Sequence, residues 1–111
     1  MNTVILIGRL TEDPKIEEVG KNHLAKASFT IAVYRTEDET DFIRCVALGG
    51  TAEFIENHDF EKGVRVGVQG AWQTGSYENK DGARVYTNEC FVNRIEFADS
   101  KKEERKNKGR R

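Results

Sequence analysis

Residues 40–48 read Thr-Asp-Phe-Ile-Arg-Cys-Val-Ala-Leu, and two glycines follow at once. Successive side chains of a strand point to opposite faces, so a strand here would divide these residues into two sets. One set is small and apolar, as a packed interior requires, and consists of Ile43, Cys45 and Ala47. The other set interleaves an aromatic ring, a guanidinium and aliphatic groups, and consists of Phe42, Arg44, Val46 and Leu48.

The second set would suit a ligand that is flat, apolar and negatively charged. An unpaired nucleobase with its phosphate has these properties. The alternative is a central strand buried on both faces, from which only the arginine reaches solvent. The sequence on either side decides between the two interpretations.

Length and composition restrict the class of protein. A chain of 111 residues supports one domain with a modest core. It contains no run of about 18 apolar residues and no secretory signal pattern, so we expect a soluble, cytoplasmic protein without a membrane partner. Cys45 and Cys90 have no cysteine or histidine nearby at ligand spacing, which predicts free core thiols and no metal site. No cofactor is expected.

Charge is divided unevenly along the chain. Residues 101–111 hold seven Lys or Arg and two Glu, a net +5, whereas residues 1–100 hold 11 basic and 17 acidic side chains, a net −6. An acidic body argues against a general duplex-binding surface, so any nucleic-acid site must be a local basic and aromatic strip. Apolar periodicity ends at Ala98, which predicts a disordered basic tail over residues 99–111.

Two further strands are predicted before residue 40. Residues 2–10 are apolar on both faces, as in a closed barrel or a strand shared with a partner subunit, and Gly8 allows a bulge or bend. Residues 24–35 alternate strongly and have a polar outer face that ends in Tyr34 and Arg35. A turn at Asp13 and Pro14 separates these two strands.

A helix and two strands are predicted after residue 48. Thr51 can cap a helix that continues through Phe60, and its acidic side chains with His58 are more typical of a solvated face than of an acid–base or metal site. Residues 64–72 and 90–97 form strands, and residues 79–82 form a hairpin turn between 73–78 and 83–88. Parity places Trp72 in the core or a subunit interface and Tyr77 at the surface, unless a bulge near Gly70 exchanges them.

The resulting order is three strands, a helix and two strands. A five-stranded antiparallel barrel with one helix between strands 3 and 4, here with an extended hairpin between strands 4 and 5, is the OB-fold arrangement. OB-folds bind oligonucleotides across strands 2 and 3 and with their long loops. Phe42, Arg44 and Leu48 lie on such a strand, and Tyr34 lies on its neighbour.

The chain resembles the bacterial and bacteriophage type of single-stranded DNA-binding protein over about residues 1–98. The matching segments, in chain order, are Val4-Ile5-Leu6-Ile7-Gly8-Arg9-Leu10-Thr11, Asp13-Pro14, Phe29-Thr30-Ile31-Ala32-Val33 with Arg35, Thr40-Asp41-Phe42-Ile43, Ala52-Glu53, Lys62-Gly63, Gly70, Gln73-Thr74, Ser76-Tyr77-Glu78, Gly82, Arg84-Val85 and Glu89. The resemblance implies sequence-tolerant binding and protection of single-stranded DNA in replication, recombination and repair. It also implies no catalysis and a homotetramer, or a dimer.

The resemblance also assigns residues to the site. It implies base stacking by Phe42, Leu48 and Tyr77. It implies phosphate contacts by Arg44 and Lys62. Arg35 and Arg84 match recurring arginines of the family, although a salt bridge within the hairpin is an alternative role for Arg84.

The chain departs from this family in its basic residues and in its final segment. Gly50, Ala71 and Gly75 stand where relatives often have Lys or Arg, so fewer phosphate contacts are expected. Relatives use a long linker and an acidic tip to recruit replication or recombination proteins, whereas residues 101–111 here are basic. We therefore do not expect recruitment through such a tip, and this is compatible with a bacteriophage or mobile-element origin. We expect the tail to contact phosphates; a solubilising tail, or one that docks an acidic protein, is the alternative.

Two other functions are compatible with a small chain of this type. One is an OB-fold assembly module of a replication or primosome complex that acts mainly through protein contacts. The other is a small hydrolase that would use Asp41, His58 or the carboxylates of the helix. No nucleophile elbow, paired histidine ligands or Gly-rich phosphate loop supports the hydrolase, so we expect a protein that is not an enzyme.

Overall fold

A computed structural model describes residues 1–98, and the predicted tail over residues 99–111 lies outside the described residues. Six strands and one helix follow each other along the described chain. They are β1 (Val4–Leu10), β2 (Lys15–Val19), β3 (Leu24–Tyr34), β4 (Thr40–Leu48), α1 (Gly50–Glu56), β5 (Arg65–Glu78) and β6 (Arg84–Phe97).

Five of the strands form a ring. The order β1-β5-β6-β4-β3 closes because the end of β1 also pairs with β3, where Arg9 lies opposite Ala32 and Leu10 opposite Ile31. All ring pairings are antiparallel except that of β4 with β6, which is a short parallel seam at Cys45–Cys90 and Val46–Phe91. Among the ring strands the helix falls between the third and the fourth, so the predicted OB-fold is confirmed, with one parallel seam in place of a wholly antiparallel barrel.

The sixth strand, β2, was not predicted. It pairs only with β3, from Lys15 opposite Ser28 to Val19 opposite Leu24, and therefore forms an edge outside the ring. Its sequence, Lys-Ile-Glu-Glu-Val, lacks the alternation of a half-buried strand. Charged side chains are typical of edge strands, because they discourage pairing with another chain.

The core fills the ring and extends beneath the helix. Ile31 and Val66 are fully buried at its centre, and Ala52 and Ile55 attach α1 to it. Phe60, which follows the helix, stacks on Phe97 with a centroid distance of 4.3 Å. The alternating apolar residues of the sequence thus face one interior, as the hydrophobic effect requires.

The helix differs from its prediction at both ends. It begins after Gly49, the N-cap residue, and no side chain caps it, so the predicted role of Thr51 is wrong. It ends at Glu56 and does not continue through Phe60. Phe60 leaves the helix because it packs into the core with Phe97.

Two glycines permit close contacts between strands. A Cβ atom on Gly8 would lie 2.5 Å from the carbonyl oxygen of Ala32, and one on Gly70 would lie 1.9 Å from that of Phe91. Such distances exclude any side chain unless the backbone moves. Gly8 therefore lets β1 approach β3 at the closure of the ring, and β1 needs no bulge there.

The β5–β6 hairpin extends beyond the ring as the predicted arm. Its register shifts between Gln69 and Gly70, because Arg94 and Val92 are their partners and Asn93 is passed over. The extra residue lies on β6, so the parity of β5 is preserved and Gly70 faces the core. Trp72 is nevertheless 38% exposed, because it lies where the arm leaves the ring. Of its two predicted places, the core is therefore wrong, and the subunit interface stays a prediction.

Candidate nucleic-acid interface

The register of β3 and β4 defines one outer face of the ring. Residues directly opposite each other in an antiparallel pair share a face. Five such pairs lie on the outer face: Lys26–Leu48, Ser28–Val46, Thr30–Arg44, Ala32–Phe42 and Tyr34–Thr40. The predicted residues Tyr34, Phe42, Arg44 and Leu48 are therefore on one surface.

The rings on this face are open to solvent. Phe42 is 67% exposed and Tyr34 is 77% exposed. Large exposed aromatic side chains of this kind forgo burial that a core would provide, and a flat ligand could supply it. Leu48 is half-buried, and the neighbouring Val46 is buried beside Phe91 of the parallel seam. The expectation that Val46 belongs to the exposed set is wrong.

A groove of about 320 Å³ runs beside Phe42 and Arg44. Its walls come from β3, from β4, from the β1–β2 connection, from Lys15 of β2 and from Glu89 of β6. Three cations and three anions line it: Lys15, Lys26, Arg44, Glu12, Asp13 and Glu89. This balance means that the groove offers local positive charge without being a basic cleft, so ring stacking must carry much of any binding there.

The same outer face continues into the arm. Val46 shares a face with Phe91, which lies opposite Ala71 on β5. Every second residue of β5 after Ala71 lies on the same face as Ala71. The last of these residues is Tyr77, which is 55% exposed. Phe42 and Tyr77 therefore belong to one continuous side of the sheet, one on the ring and one on the arm.

Arg35 has local partners. It donates hydrogen bonds to both carboxylate oxygens of Asp41 and to Oε2 of Glu39, the last at 2.8 Å. Its hydrogen bonds lower the pKa of Asp41 below the usual value, and the same contact raises the pKa of Arg35. A guanidinium held in this way stabilises the β3–β4 turn, and it is less available to a phosphate than Arg44.

Lys62 and Arg84 lie away from Phe42. Lys62 belongs to the connection before β5, and its backbone N–H donates to Oδ1 of Asp13, at the end of the groove. Arg84 lies opposite Glu78 and is therefore on the other face of the arm from Tyr77. Among residues 1–98 it makes no ion pair, and its Nη1 lies 3.5 Å from Oγ of Ser76.

Two basic residues of the groove were not in the predicted site. Lys26 lies directly opposite Leu48, and the alternation of β3 already placed it on the outer face. Lys15 lies on β2, opposite Ser28, and could not be placed while that strand was unrecognised.

The thiol of Cys45 is beneath the groove and the thiol of Cys90 is its neighbour across the seam. Both cysteines are free and buried, as predicted. Burial raises the pKa of both thiols, so they remain protonated near neutral pH. In the described part of the chain, no group of three or more His, Cys, Asp or Glu is arranged to hold a metal ion.

Comparison with known proteins shows the family of this chain. The profile of the Single-strand binding protein family matches residues 1–98. The chain belongs to this family. It is 46% identical to the single-stranded DNA-binding protein of Clostridium perfringens over 102 residues, which cover 90% of this chain and 67% of that protein.

Other members of the single-strand binding protein family are similarly related. The chain is 44% identical over 103 residues to the single-stranded DNA-binding protein of Bacillus cereus and 41% identical over 107 residues to single-stranded DNA-binding protein A of Bacillus subtilis. It spans 59% of the first protein and 61% of the second. No helix within residues 1–98 has the length and apolar character needed to cross a bilayer.

Proposed function

We propose that this chain binds and protects single-stranded DNA without sequence preference, in replication, recombination and repair. The observation that carries the proposal is that the exposed ring of Phe42 and the guanidinium of Arg44 lie on the same outer face of β3 and β4. An exposed ring can stack on any base and a nearby cation can contact the adjacent phosphate. Membership of the single-strand binding protein family supports the same conclusion.

The residues of the proposed site have different roles. Phe42, Tyr34 and Tyr77 stack on bases, and Leu48 gives an apolar contact. Arg44 and Lys62 contact phosphates, while Lys15 and Lys26 add positive charge along the groove. Arg35 contributes by holding the turn that presents Phe42, since its guanidinium is bonded to Asp41. Arg84 lies on the other face of the arm from Tyr77.

Stacking supplies affinity without sequence readout. Each stacked base contributes roughly 1–3 kcal/mol, and every base has a stacking surface. The groove has as many anions as cations, so phosphate contacts supply a smaller share than in a basic cleft. Binding of this kind requires no reaction, and we propose that the chain acts without catalysis in the cytoplasm, where cellular DNA is exposed as single strands.

We also propose that the chain acts as a homo-oligomer, with a homotetramer as the expected form. Ile5 and Ile7 are 70% and 49% exposed on the outer face of β1. They line a second groove of about 500 Å³ with Phe97 and the chain's β5 and β6 strands. Two isoleucines exposed side by side favour contact with another apolar surface, and an identical surface on a second copy fulfils this requirement.

We propose further that residues 1–98 are the binding domain and that residues 99–111 are a separate basic tail. Residues 101–111 of the tail carry a net +5, which would offset the net −6 of residues 1–100 near a strand. Removal of residues 99–111 should weaken binding at low salt. Unchanged affinity at low salt would contradict the proposed role of the tail.

The test of the proposed function is fluorescence anisotropy of a labelled single-stranded oligonucleotide at several salt concentrations, with duplex DNA as competitor. We expect tight binding that resists the duplex and weakens as salt rises, since each phosphate contact contributes about 0.7 to the logarithmic slope for single strands. Absence of binding at low salt would contradict the proposal and favour an assembly module that contacts proteins.

A further inference from the structure

The arm presents two faces to solvent, and the proposed function places a stacking ring on only one of them. We call the side that bears Tyr77 the front face; its other members are Ala71, Gln73, Gly75, Val85, Thr87 and Glu89. The back face consists of Trp72, Thr74, Ser76, Glu78, Arg84, Tyr86 and Asn88. This division follows from the pairs of the β5–β6 register, because directly opposite residues share a face.

The most exposed ring of the arm is on the back face. Tyr86 is 75% exposed, compared with 55% for Tyr77 on the front. Tyr86 lies directly opposite Ser76, the residue that accepts a hydrogen bond from Arg84 Nη1 at 3.5 Å. The ring and the guanidinium are therefore neighbours on one surface.

Charge also distinguishes the two faces. The front face carries one carboxylate, Glu89, and no cation. The back face carries one cation, Arg84, and one carboxylate, Glu78, which lies directly opposite it in the register. The two form no ion pair, and the side-chain hydrogen bond of Arg84 goes to Ser76. A phosphate passing over the strands of the arm would thus find its positive partner on the back and not beside Tyr77.

We propose that Tyr86 stacks on an unpaired base and that Arg84 contacts its phosphate, so that a single strand of DNA contacts both faces of the arm. This inference rests on the proposed function. It adds a stacking position on the back face of the arm that neither the sequence pattern nor the proposed site included. An aromatic ring beside a guanidinium is the combination that single-strand binding requires.

A second copy of the chain is the other candidate to cover this face. The unpaired cation and the polar residues that surround Tyr86 favour a charged strand, because interfaces between identical subunits are more apolar than this surface. The apolar pair Ile5 and Ile7 lies on β1 and not on the arm, so it provides a separate surface for self-association.

Tyr86→Ala is the direct test, with Tyr86→Phe as its matched control. Tyr86 is so exposed that the alanine variant should keep its fold and melting temperature. We expect its affinity for a single-stranded oligonucleotide to fall about tenfold, while the phenylalanine variant, which keeps the ring, binds like the unaltered chain. Arg84→Gln should reduce the logarithmic salt slope by about 0.7.

The fluorescence of Trp72 gives an independent measurement of strand binding to the back face. It is the only tryptophan of the chain and lies on the back face, 38% exposed. A strand on that face should change its fluorescence on binding. We expect the change to be retained in Tyr77→Ala and to be largely lost in Tyr86→Ala at equal saturation.

The outcomes separate this inference from the proposed function. Failure of the unaltered chain to bind would overturn both. If the unaltered chain binds and Phe42→Ala weakens binding but Tyr86→Ala does not, the stacking position on the back face alone is overturned. A Tyr86→Ala variant that loses affinity only because its oligomer dissociates, as seen by light scattering, would also overturn it and assign the face to a second copy.

Discussion

The β5–β6 ladder has two halves that share the same hydrogen bonding and differ in burial. In the ring half, Val66 and Val68 are 0% and 2% exposed, and their partners on β6 close over the same core. In the arm half, residues 73–78 are all exposed. Because burial of apolar surface drives folding, the ring half determines stability and the arm half is available to a ligand.

The sharpest test of this difference is to place the same small group in each half. Gly70→Ala puts a methyl group 1.9 Å from the carbonyl oxygen of Phe91, a backbone atom that cannot rotate away. We expect it to lower the free energy of unfolding by about 3 kcal/mol. Gly75→Ala meets only Oγ1 of Thr87 at 3.0 Å, and this side chain can move.

Chemical denaturation of the two glycine variants gives the comparison. We expect Gly75→Ala to change the free energy of unfolding by less than about 1 kcal/mol, as is usual for exposed positions. Equal destabilisation by the two variants would show that the arm half is as constrained as the ring half.

Phe42→Ala tests whether an exposed residue of the ring acts in binding and not in stability. We expect the affinity for single-stranded DNA to fall by about 2 kcal/mol, within the range for a lost stacked base, and the melting temperature to remain unchanged. Phe54→Ala is the matched control, because Phe54 is a 40% exposed ring on α1 outside the groove. Equal losses from both variants would remove Phe42 from the site.

Tyr77→Ala extends the comparison to the arm. We expect a loss of about 1 kcal/mol in binding, at the lower end for a stacked base, because the arm carries no cation beside this ring. Titration of Tyr77→Phe in parallel is the control, since it keeps the ring. A Phe variant as weak as the Ala variant would indicate that the hydroxyl and not stacking is the contact.

The smallest expected effect concerns the ion pair of Arg35 and Asp41, which lies on the ring but is exposed. The pKa of Asp41 is lowered in the folded chain, so its contribution to stability is present above the unfolded pKa, about 4, and is lost as pH falls through the folded value. Asp41→Asn should therefore be slightly destabilising near neutral pH, and the difference from the unaltered chain should shrink in acid.

Thermal unfolding from neutral pH into acid measures this effect. Asp38→Asn is the control, because Asp38 is an exposed residue of the same turn with no ion pair among residues 1–98. A pH-independent difference between Asp41→Asn and the unaltered chain would contradict the ion-pair explanation. A large loss of stability in Asp41→Asn would show that burial alone does not decide which ring residues contribute to stability.

The ring could be predicted from the sequence because its alternation reports burial directly. Residues 40–48 divide into faces as expected, except that Val46 is covered where β4 meets β6 in the parallel seam. A seam of two residue pairs leaves no local signal, since it joins segments that are 45 positions apart. β2 was missed because an exposed edge strand needs no apolar alternation.

The site was harder to predict than the fold. Phe42, Arg44 and Tyr34 share a surface as expected, but Arg35 is bonded to Asp41 and Arg84 is on the back of the arm. Turn geometry decides which exposed residues form salt bridges, and register decides on which face of the arm a residue lies. Alternation within one strand encodes neither. Tyr86 escaped notice for the same reason.

The central claim is that one side of the sheet, from Phe42 on the ring to Tyr77 on the arm, forms a continuous surface that stacks on bases. The most direct measurement is the anisotropy titration of a labelled single strand with Phe42→Ala, Tyr77→Ala and the double variant. Each variant must first be shown to keep the melting temperature of the unaltered chain. We predict that both single variants bind more weakly and that their losses of binding free energy add in the double variant. Affinity unchanged in either single variant would contradict the claim.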